Sequence, residues 1–249
     1  MVNEKLKDVQ GKALWEYFKN RNNKNPLILH NDYGKPEKMP KEVFFQEYNE
    51  LTDLEVYALS MSRGEILDVG AGAGRHVLPL QKTNQVTALE ISPLCNQIMA
   101  ARGVKKIIEQ DIFEFDTQLK FDTILMLMNG IGLAGSLDGV KALLKKYKQL
   151  LAESGQVLFD SSDISYLYRD TFFPQDRYFG EVTYQYEYQK ERGNEFKWIY
   201  IDKKTITKIA GQLGFHCQVI YQGNNDQYLA RLTEKFKLFH VISNKFPFN

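Results

Sequence analysis

Much that would mark a special environment is missing from this sequence. Two cysteines, Cys95 and Cys217, make neither a disulfide framework nor a metal-ligand cluster; they fit a reducing, cytoplasmic compartment, and no metal site is expected. No apolar run approaches the length of a membrane span, so no membrane partner is expected. Met1 to Gln10 is polar and charged and lacks the apolar stretch of a secretory signal. A formal net charge of +1 gives no general electrostatic case for nucleic acid or an anionic surface. No internal repeat or low-complexity tract interrupts the chain. What is present is ordinary for one sizeable globular domain: 249 residues, 43% hydrophobic and 25% charged. Aromatic residues, at 13%, are abundant, and their placement matters below.

The organising stretch is Glu65-Ile66-Leu67-Asp68-Val69-Gly70-Ala71-Gly72-Ala73-Gly74-Arg75-His76. A short apolar run reads as a buried strand, three alternate glycines break it, and a helical pattern follows. Glycine permits positive φ and lets a ligand approach bare backbone. Strand, glycine turn and helix start together form a ligand-binding corner at the carboxyl edge of a parallel sheet. Position 75 is Arg, so the dinucleotide fingerprint G-x-G-x-x-G fails, and no Gly-Lys-Ser/Thr follows to make a Walker A loop. An ordinary tight turn is the plain alternative. Asp68 with Gly70, Gly72 and Gly74 resembles the first motif of the class I S-adenosylmethionine (SAM)-dependent methyltransferases, approximately two apolar residues, Asp, an apolar residue and G-x-G-x-G.

Along the chain, residues 11–20 read as an amphipathic helix with Leu14, Trp15 and Phe18 on one face. A polar break at Asn20 to Asn25 precedes Leu27 to Pro36, which ends in turn residues. Pro40 opens a further helix at Lys41, and Thr52 or Asp53 caps another through Met61. The first 64 residues thus read as mostly helical. From Glu65, strands at 65–69, 86–90, 104–109, 121–128 and 156–159 alternate with helices at 75–82, 93–102 and 137–151. Phe121 to Met128 is almost wholly apolar, as in a central parallel strand covered on both faces. The alternation predicts an α/β fold with a doubly wound sheet; the resemblance implies a mostly parallel, seven-stranded sheet of the Rossmann-like methyltransferase type. An N-terminal helical extension and an inserted β-hairpin are added to it. The hairpin is Val182 to Tyr188 and Phe196 to Ile201, with Arg192-Gly193-Asn194 between. A helix at 203–213 ends at Gly214, and strands at 216–221 and 227–232 turn through Gly223 to Asp226. One domain spans 1–249: extension 1–64, SAM-binding core 65–178, aromatic hairpin 179–201, final helix and strand pair 202–233, and a tail 234–249 rich in Phe near its end.

Ligands of an open α/β sheet sit beyond the carboxyl ends of its strands. Those ends carry Asp68, Glu90, Asp111, Asn129 and the group Asp160, Ser161 and Asp163. The backbone of Gly70 to Gly74 suits the methionyl and ribose portion of SAM. Glu90, 22 residues after Asp68, suits the two ribose hydroxyls. Asp111 with Ile112 suits adenine, and Met128 and Asn129 lie near the sulfonium. The resemblance implies the same roles for Glu90 and Asp111. It spans about 65–160 well and the last strand pair loosely. The expected cofactor residues are Asp68, Gly70, Ala71, Gly72, Gly74, Arg75, Glu90, Ile91, Asp111, Ile112, Met128 and Asn129, with S-adenosylhomocysteine as product. Solvated loop acids, or a simple helix cap at Asp160 to Asp163, are the plain readings of the same residues. Cys95 reads as packing, and His76 is given no catalytic role.

No catalytic motif is recognised. Candidates for contact with the methyl acceptor are Asn129, Asp160, Asp163, Tyr166, Tyr184 and Trp198. Enzymes that methylate nucleobase amino groups often carry Asp/Asn-Pro-Pro-Tyr/Phe after the fourth strand; here the sequence is Asn129-Gly130-Ile131-Gly132. That favours a small-molecule acceptor, methylated on O or N, over nucleic acid. A non-catalytic SAM-binding sensor or scaffold, an RNA or protein methyltransferase, and a nucleotide-dependent oxidoreductase are the alternatives. The hairpin aligns Tyr184, Tyr186 and Tyr188 on one strand and Phe196, Trp198 and Tyr200 on the other. It reads as an extension of the core, a lid over the substrate, or the surface of a homodimer.

Overall fold

The computed structural model describes residues 7–170, 172–223 and 226–235. Asn224 and Asn225 of the last expected turn, and the Phe-rich end of the tail, lie outside them. Helix α1 (Val9–Lys19) starts at Asp8, whose side chain accepts from Gly11 N, and buries Val9, Ala13, Leu14 and Tyr17. Strands β1 (Leu27–Asn31) and β2 (Glu37–Met39) follow, then two short 3-10 turns, Lys41–Phe45 and Tyr48–Glu50. Helix α2 (Asp53–Met61) begins in a reciprocal capping box between Thr52 and Glu55. The N-terminal region, expected to be mostly helical, is therefore mixed. After Pro40 the backbone is extended again by Gln46, at ψ 141°, so the expected helix stops after little more than one turn. Leu27 and Leu29 form a strand because their partners, Tyr188 and Tyr186, arrive from far along the chain.

The alternating region follows the expected order: β3 (Glu65–Val69), α3 (Val77–Leu80), β4 (Gln85–Glu90), α4 (Pro93–Ala101), β5 (Ile107–Glu109), β6 (Phe121–Met126), α5 (Leu137–Leu150) and β7 (Leu151–Ser162). Ser92 caps α4 with Pro93 at its first position. Then come β8 (Glu181–Tyr188), β9 (Glu191–Ile199), α6 (Lys203–Gln212), β10 (Phe215–Gln222) and β11 (Gln227–Glu234). The larger sheet has the order β10-β11-β7-β6-β3-β4-β5. Strands β3 to β7 pair in parallel, and β11 runs against both its neighbours. The chain steps outward from β3 to β5, then returns to the other side of β3 as β6 and β7. The switch point lies between β3 and β6, where a ligand is expected.

Alternation on the strands assigns the two faces. Leu67, Val69, Ile124, Met126, Val157 and Phe159 share one cluster with α5 and α6. Ile66, Ala88, Leu125 and Leu158 share the other with α2, α3 and α4. Asp68 alternates with Leu67 and Val69, and so stands on the face of Ile66.

The hairpin is not an isolated ribbon. It joins β1 and β2 in a second sheet, order β2-β1-β8-β9. Its turn is Gln189-Lys190, both left-handed at φ 51° and 66°, the two-residue geometry that matches strand twist. Arg192-Gly193-Asn194, expected as the turn, lies inside β9. There a Cβ on Gly193 would meet Lys7 O and Val9 at 3.4 Å, an ordinary contact with the start of α1.

Candidate active site

The glycine corner is held from β4. Gly70 N and Ala71 N both donate to Leu89 O, at 2.8 and 3.2 Å. The three glycines all take positive φ, at 72°, 54° and 81°. They differ in surroundings. A Cβ on Gly74 would press on Val104 and Met99 at 3.0 and 3.1 Å, whereas one on Gly72 would meet only Phe44, at 3.7 Å. Gly74 thus serves packing against α4, and Gly72 faces space. Gly72 N donates to Glu90 Oε2 at 2.8 Å and Ser92 N to Glu90 Oε1 at 2.9 Å. Glu90 is therefore fixed in rotamer with lone pairs to spare. Burial pushes its pKa up, against the pull of those amides.

Asp68, at the last but one position of β3, is 2% exposed and its Oδ2 has no hydrogen-bond partner among the described residues. Burial raises its carboxyl to about 6, with His76 pulling the other way. An orphaned buried acid at this corner fits a ligand group that donates hydrogen bonds or carries positive charge. Asp111 is half-buried; its Oδ1 accepts from Phe113 N at 2.8 Å, leaving Oδ2 open. Ile112 is buried, while Ile91 and Phe113 are exposed apolar side chains at the ends of β4 and β5. These surroundings suit the ribose, adenine and amino-acid parts of SAM.

Arg75, grouped with the cofactor residues by sequence, turns to α2 instead. Its guanidinium is 2.7 Å from Glu55, and Nη1 donates to Val43 O at 2.6 Å and lies 3.5 Å from Met128 Sδ. His76 Nε2 meets the same carboxylate at 2.9 Å. For Glu55, burial favours the neutral acid, but His76, Thr52 N and Arg75 outweigh it and hold the pKa down at about 2. Glu55 was invisible in the sequence because Thr52-x-x-Glu55 reads as an ordinary capping box. It ties the loop after the glycines to α2.

At the end of β6, Met128 and Asn129 take φ 63° and 57°, two successive left-handed residues without glycine, a costly conformation that needs support. Asp160 Oδ1 supplies it, accepting from Asn129 N at 2.8 Å, and Ser162 Oγ donates to Asn129 Oδ1 at 3.0 Å. Gln227 Nε2 donates to Asp160 Oδ2 at 2.7 Å. Asp160 is 1% exposed, and burial raises its pKa to about 6. Asp163 Oδ1 accepts from Ser165 N at 2.9 Å, a local contact two residues ahead rather than a cap, since Ile164 holds the cap position of the next 3-10 turn. Tyr166 is exposed beside it.

The second sheet docks next to these strand ends. A side chain on Gly132 would collide with the Trp198 indole, and one on Gly135 would press on Lys197. Ile201 N donates to Ser161 Oγ at 3.0 Å, and Leu137 N to Glu181 Oε1 at 2.8 Å. Tyr186 lies within the field of Glu90, and Tyr200 within that of Asp160 and Tyr166. Asn129, Asp160, Trp198 and Tyr200 thus gather at one end of the sheet, with Tyr184 bonded to Tyr200. A separate cavity of about 380 Å³, lined by Gln46, Tyr48, Arg75, Pro79 and Arg102 among others, contains none of the strand-end acids. Among the described residues no cluster of three His, Cys, Asp or Glu is arranged to hold a metal, and no helix is long and apolar enough to cross a membrane.

A family described as a methyltransferase domain matches residues 39–218. Among solved structures, the chain is similar to a SAM-dependent methyltransferase from Bacteroides fragilis in complex with S-adenosyl-L-homocysteine. The two share 37% identity over 92% of this chain and 96% of that one, with a TM-score of 0.85. A SAM-dependent methyltransferase from Clostridium acetobutylicum shares the fold at 14% identity, covering 78% of this chain and 97% of that one, TM-score 0.58. So does a sugar N-methyltransferase from Streptoalloteichus, at 13% identity over 82% and 96%, TM-score 0.56. No curated protein sequence matches.

Proposed function

The chain belongs to the methyltransferase family as a class I, SAM-dependent enzyme, and from that premise we propose that its acceptor is a small molecule with a nucleophilic nitrogen or oxygen. The acceptor is held between the strand ends and the aromatic sheet. The observation that carries this reading is the docking of β9, with Trp198 seated on Gly132 and Ile201 bonded to Ser161. Trp198 beside Gly132 and Tyr200 within the field of Asp160 support an aromatic wall on the acceptor side, which suits a small molecule better than a macromolecule. Tyr184 and Tyr188 are buried against this chain's own elements, which supports a lid over a dimer surface. The two unpaired cysteines accord with a cytoplasmic enzyme, and one domain of two sheets accounts for the described residues.

When bound, SAM supplies a methyl group activated on a sulfonium and departs as S-adenosylhomocysteine. This chain's residues bind and orient. Glu90, braced by Gly72 N and Ser92 N, accepts from ribose hydroxyls. Ile91, Asp111 and Ile112 take the adenine, and Asp68 takes the ammonium with its unpartnered oxygen. Gly70, Ala71 and Gly72 offer bare backbone. Met128 and Asn129 sit by the reacting centre, with Asp160 holding Asn129 in its left-handed turn. Gly74 and Arg75 shape the loop from behind. Asn129, Tyr200 and Trp198 face the acceptor, with Tyr166 at the rim.

The test is S-adenosylhomocysteine formation on cell extract split by size, with Glu90→Ala as control. Product from the small-molecule fraction, lost in the control, is expected. Product from the macromolecular fraction alone would replace this reading with an RNA or protein acceptor.

A further inference from the structure

A row of tyrosine hydroxyls runs from the strand-end cleft to the protein surface. Tyr200, just past β9, lies 3.0 Å from Tyr184 on β8, oxygen to oxygen. Tyr184 lies 2.9 Å from Tyr33, just past β1. Tyr33 Oη donates to Glu37 Oε1 at 3.4 Å, and Glu37, at the start of β2, is exposed. The inner end lies on the cleft side: Tyr200 is within the field of Asp160 and Tyr166, and the backbone of the next residue bonds Ser161.

Proton counting orients the row. Each hydroxyl has one proton to donate, and a carboxylate only accepts. Either hydroxyl of the Tyr33–Tyr184 pair can donate; in the arrangement that also serves the Glu37 carboxylate, Tyr33 donates to Glu37 and accepts from Tyr184. Tyr184 therefore accepts from Tyr200. Tyr200 gives its own proton outward, and its oxygen is left toward the cleft as an acceptor. Asp160 already accepts from Asn129 N and Gln227 Nε2, one bond on each oxygen. Burial raises the pKa of all three tyrosines, so the row stays neutral.

We propose that Tyr200, Tyr184 and Tyr33 form a one-way relay that carries the proton lost by the methyl acceptor out to Glu37. The inference rests on the acceptor reading above. As the new bond from the acceptor to the methyl carbon forms and the carbon–sulfur bond breaks, the acceptor's N–H or O–H proton passes to Tyr200 Oη. Tyr200 passes its own to Tyr184, Tyr184 to Tyr33 and Tyr33 to Glu37, from which solvent removes it. One proton enters and one leaves, with no change of oxidation state.

Tyr184→Phe removes the middle hydroxyl and keeps the ring. Calorimetry should show wild-type SAM affinity. With the extract fraction that turns over the wild type, S-adenosylhomocysteine formation should fall on the order of a hundredfold. The deficit should shrink as pH rises and hydroxide takes the proton directly, and Tyr33→Phe should show the same pH signature. An unchanged rate and pH profile in Tyr184→Phe would overturn the relay. A second readout needs no acceptor: NMR of isotope-labelled tyrosine Cζ, where Tyr184→Phe should shift both the Tyr33 and Tyr200 signals. Unmoved signals refute the relay even if no acceptor fraction is found. Absence of wild-type turnover on every small-molecule fraction would overturn the acceptor reading instead.

Discussion

Replacing Asp68 by Asn tests whether the glycine corner holds an acid in reserve for a cationic ligand group. The side chain is 2% exposed and its Oδ2 is unpartnered among the described residues. Burial lifts the carboxyl from 3.8 to about 6 against the opposing pull of His76. The unfolded chain releases this proton near 3.8 and the folded chain near 6, so across that window the folded state binds more protons and stability falls as pH rises. Roughly two units at about 1.4 kcal/mol each put the cost above pH 6 at about 3 kcal/mol. Asn keeps the shape and drops the charge. Without SAM, Asp68→Asn should therefore melt above the wild type near neutral pH, by roughly 6–12 °C if the whole cost is recovered. The gain should nearly vanish near pH 4, where the folded wild-type carboxyl is already neutral. SAM affinity should fall at least about tenfold, about 1.4 kcal/mol. Thermal melts at both pH values and calorimetry with SAM decide it. A variant destabilised equally at both pH values, or one that binds SAM like the wild type, would mean that Asp68 is not a buried charge held for the ligand.

Gly72→Val forces a β-branched residue to φ 54° but meets only Phe44, at 3.7 Å. It should cost about 1–2 kcal/mol in stability and abolish SAM binding by calorimetry; retained affinity would remove this loop from the cofactor site. Glu55→Gln leaves Arg75 and His76 without their shared carboxylate, and denaturant unfolding should show a loss of about 3–5 kcal/mol. A loss below 1 kcal/mol would mean the cluster does not brace the loop. Gly132→Ala collides with the Trp198 indole. It should lift the hairpin and reduce turnover while SAM affinity stays near wild type, and equal loss of both would argue that the 130–134 segment supports the cofactor directly.

The parallel half of the fold was legible because each strand, turn and cap is written locally. The apolar run at 65–69, Ser92-Pro93 before α4 and acids at successive strand ends fall where the structure has them, and the run expected as a strand over 121–128 ends at Met126, before the left-handed turn at Met128 and Asn129. The second sheet was only half legible. Leu27 to Asn31 is a strand through pairing with β8, and no local pattern announces a partner that distant. The hairpin turn was misplaced because Gly193-Asn194 has the composition of a turn, while Gln189 and Lys190 adopt left-handed backbone without it. Asp68, Glu90 and Asn129 were placed by their spacing at the strand ends, where the structure has them. Glu55, Gln227 and the Tyr200–Tyr184–Tyr33 row were not, since each acts through a contact made in three dimensions. Arg75 follows the glycines directly, yet its buried guanidinium is neutralised from α2.

The cofactor site is tested by a crystal structure with S-adenosylhomocysteine bound. The ribose hydroxyls should lie within hydrogen-bond distance of Glu90, the adenine between Ile91 and the Asp111–Phe113 turn, the amino group at Asp68, and the sulfur facing Asn129. Ligand density in the cavity beside Arg75 and Arg102, with the Glu90 carboxylate left untouched, would contradict it.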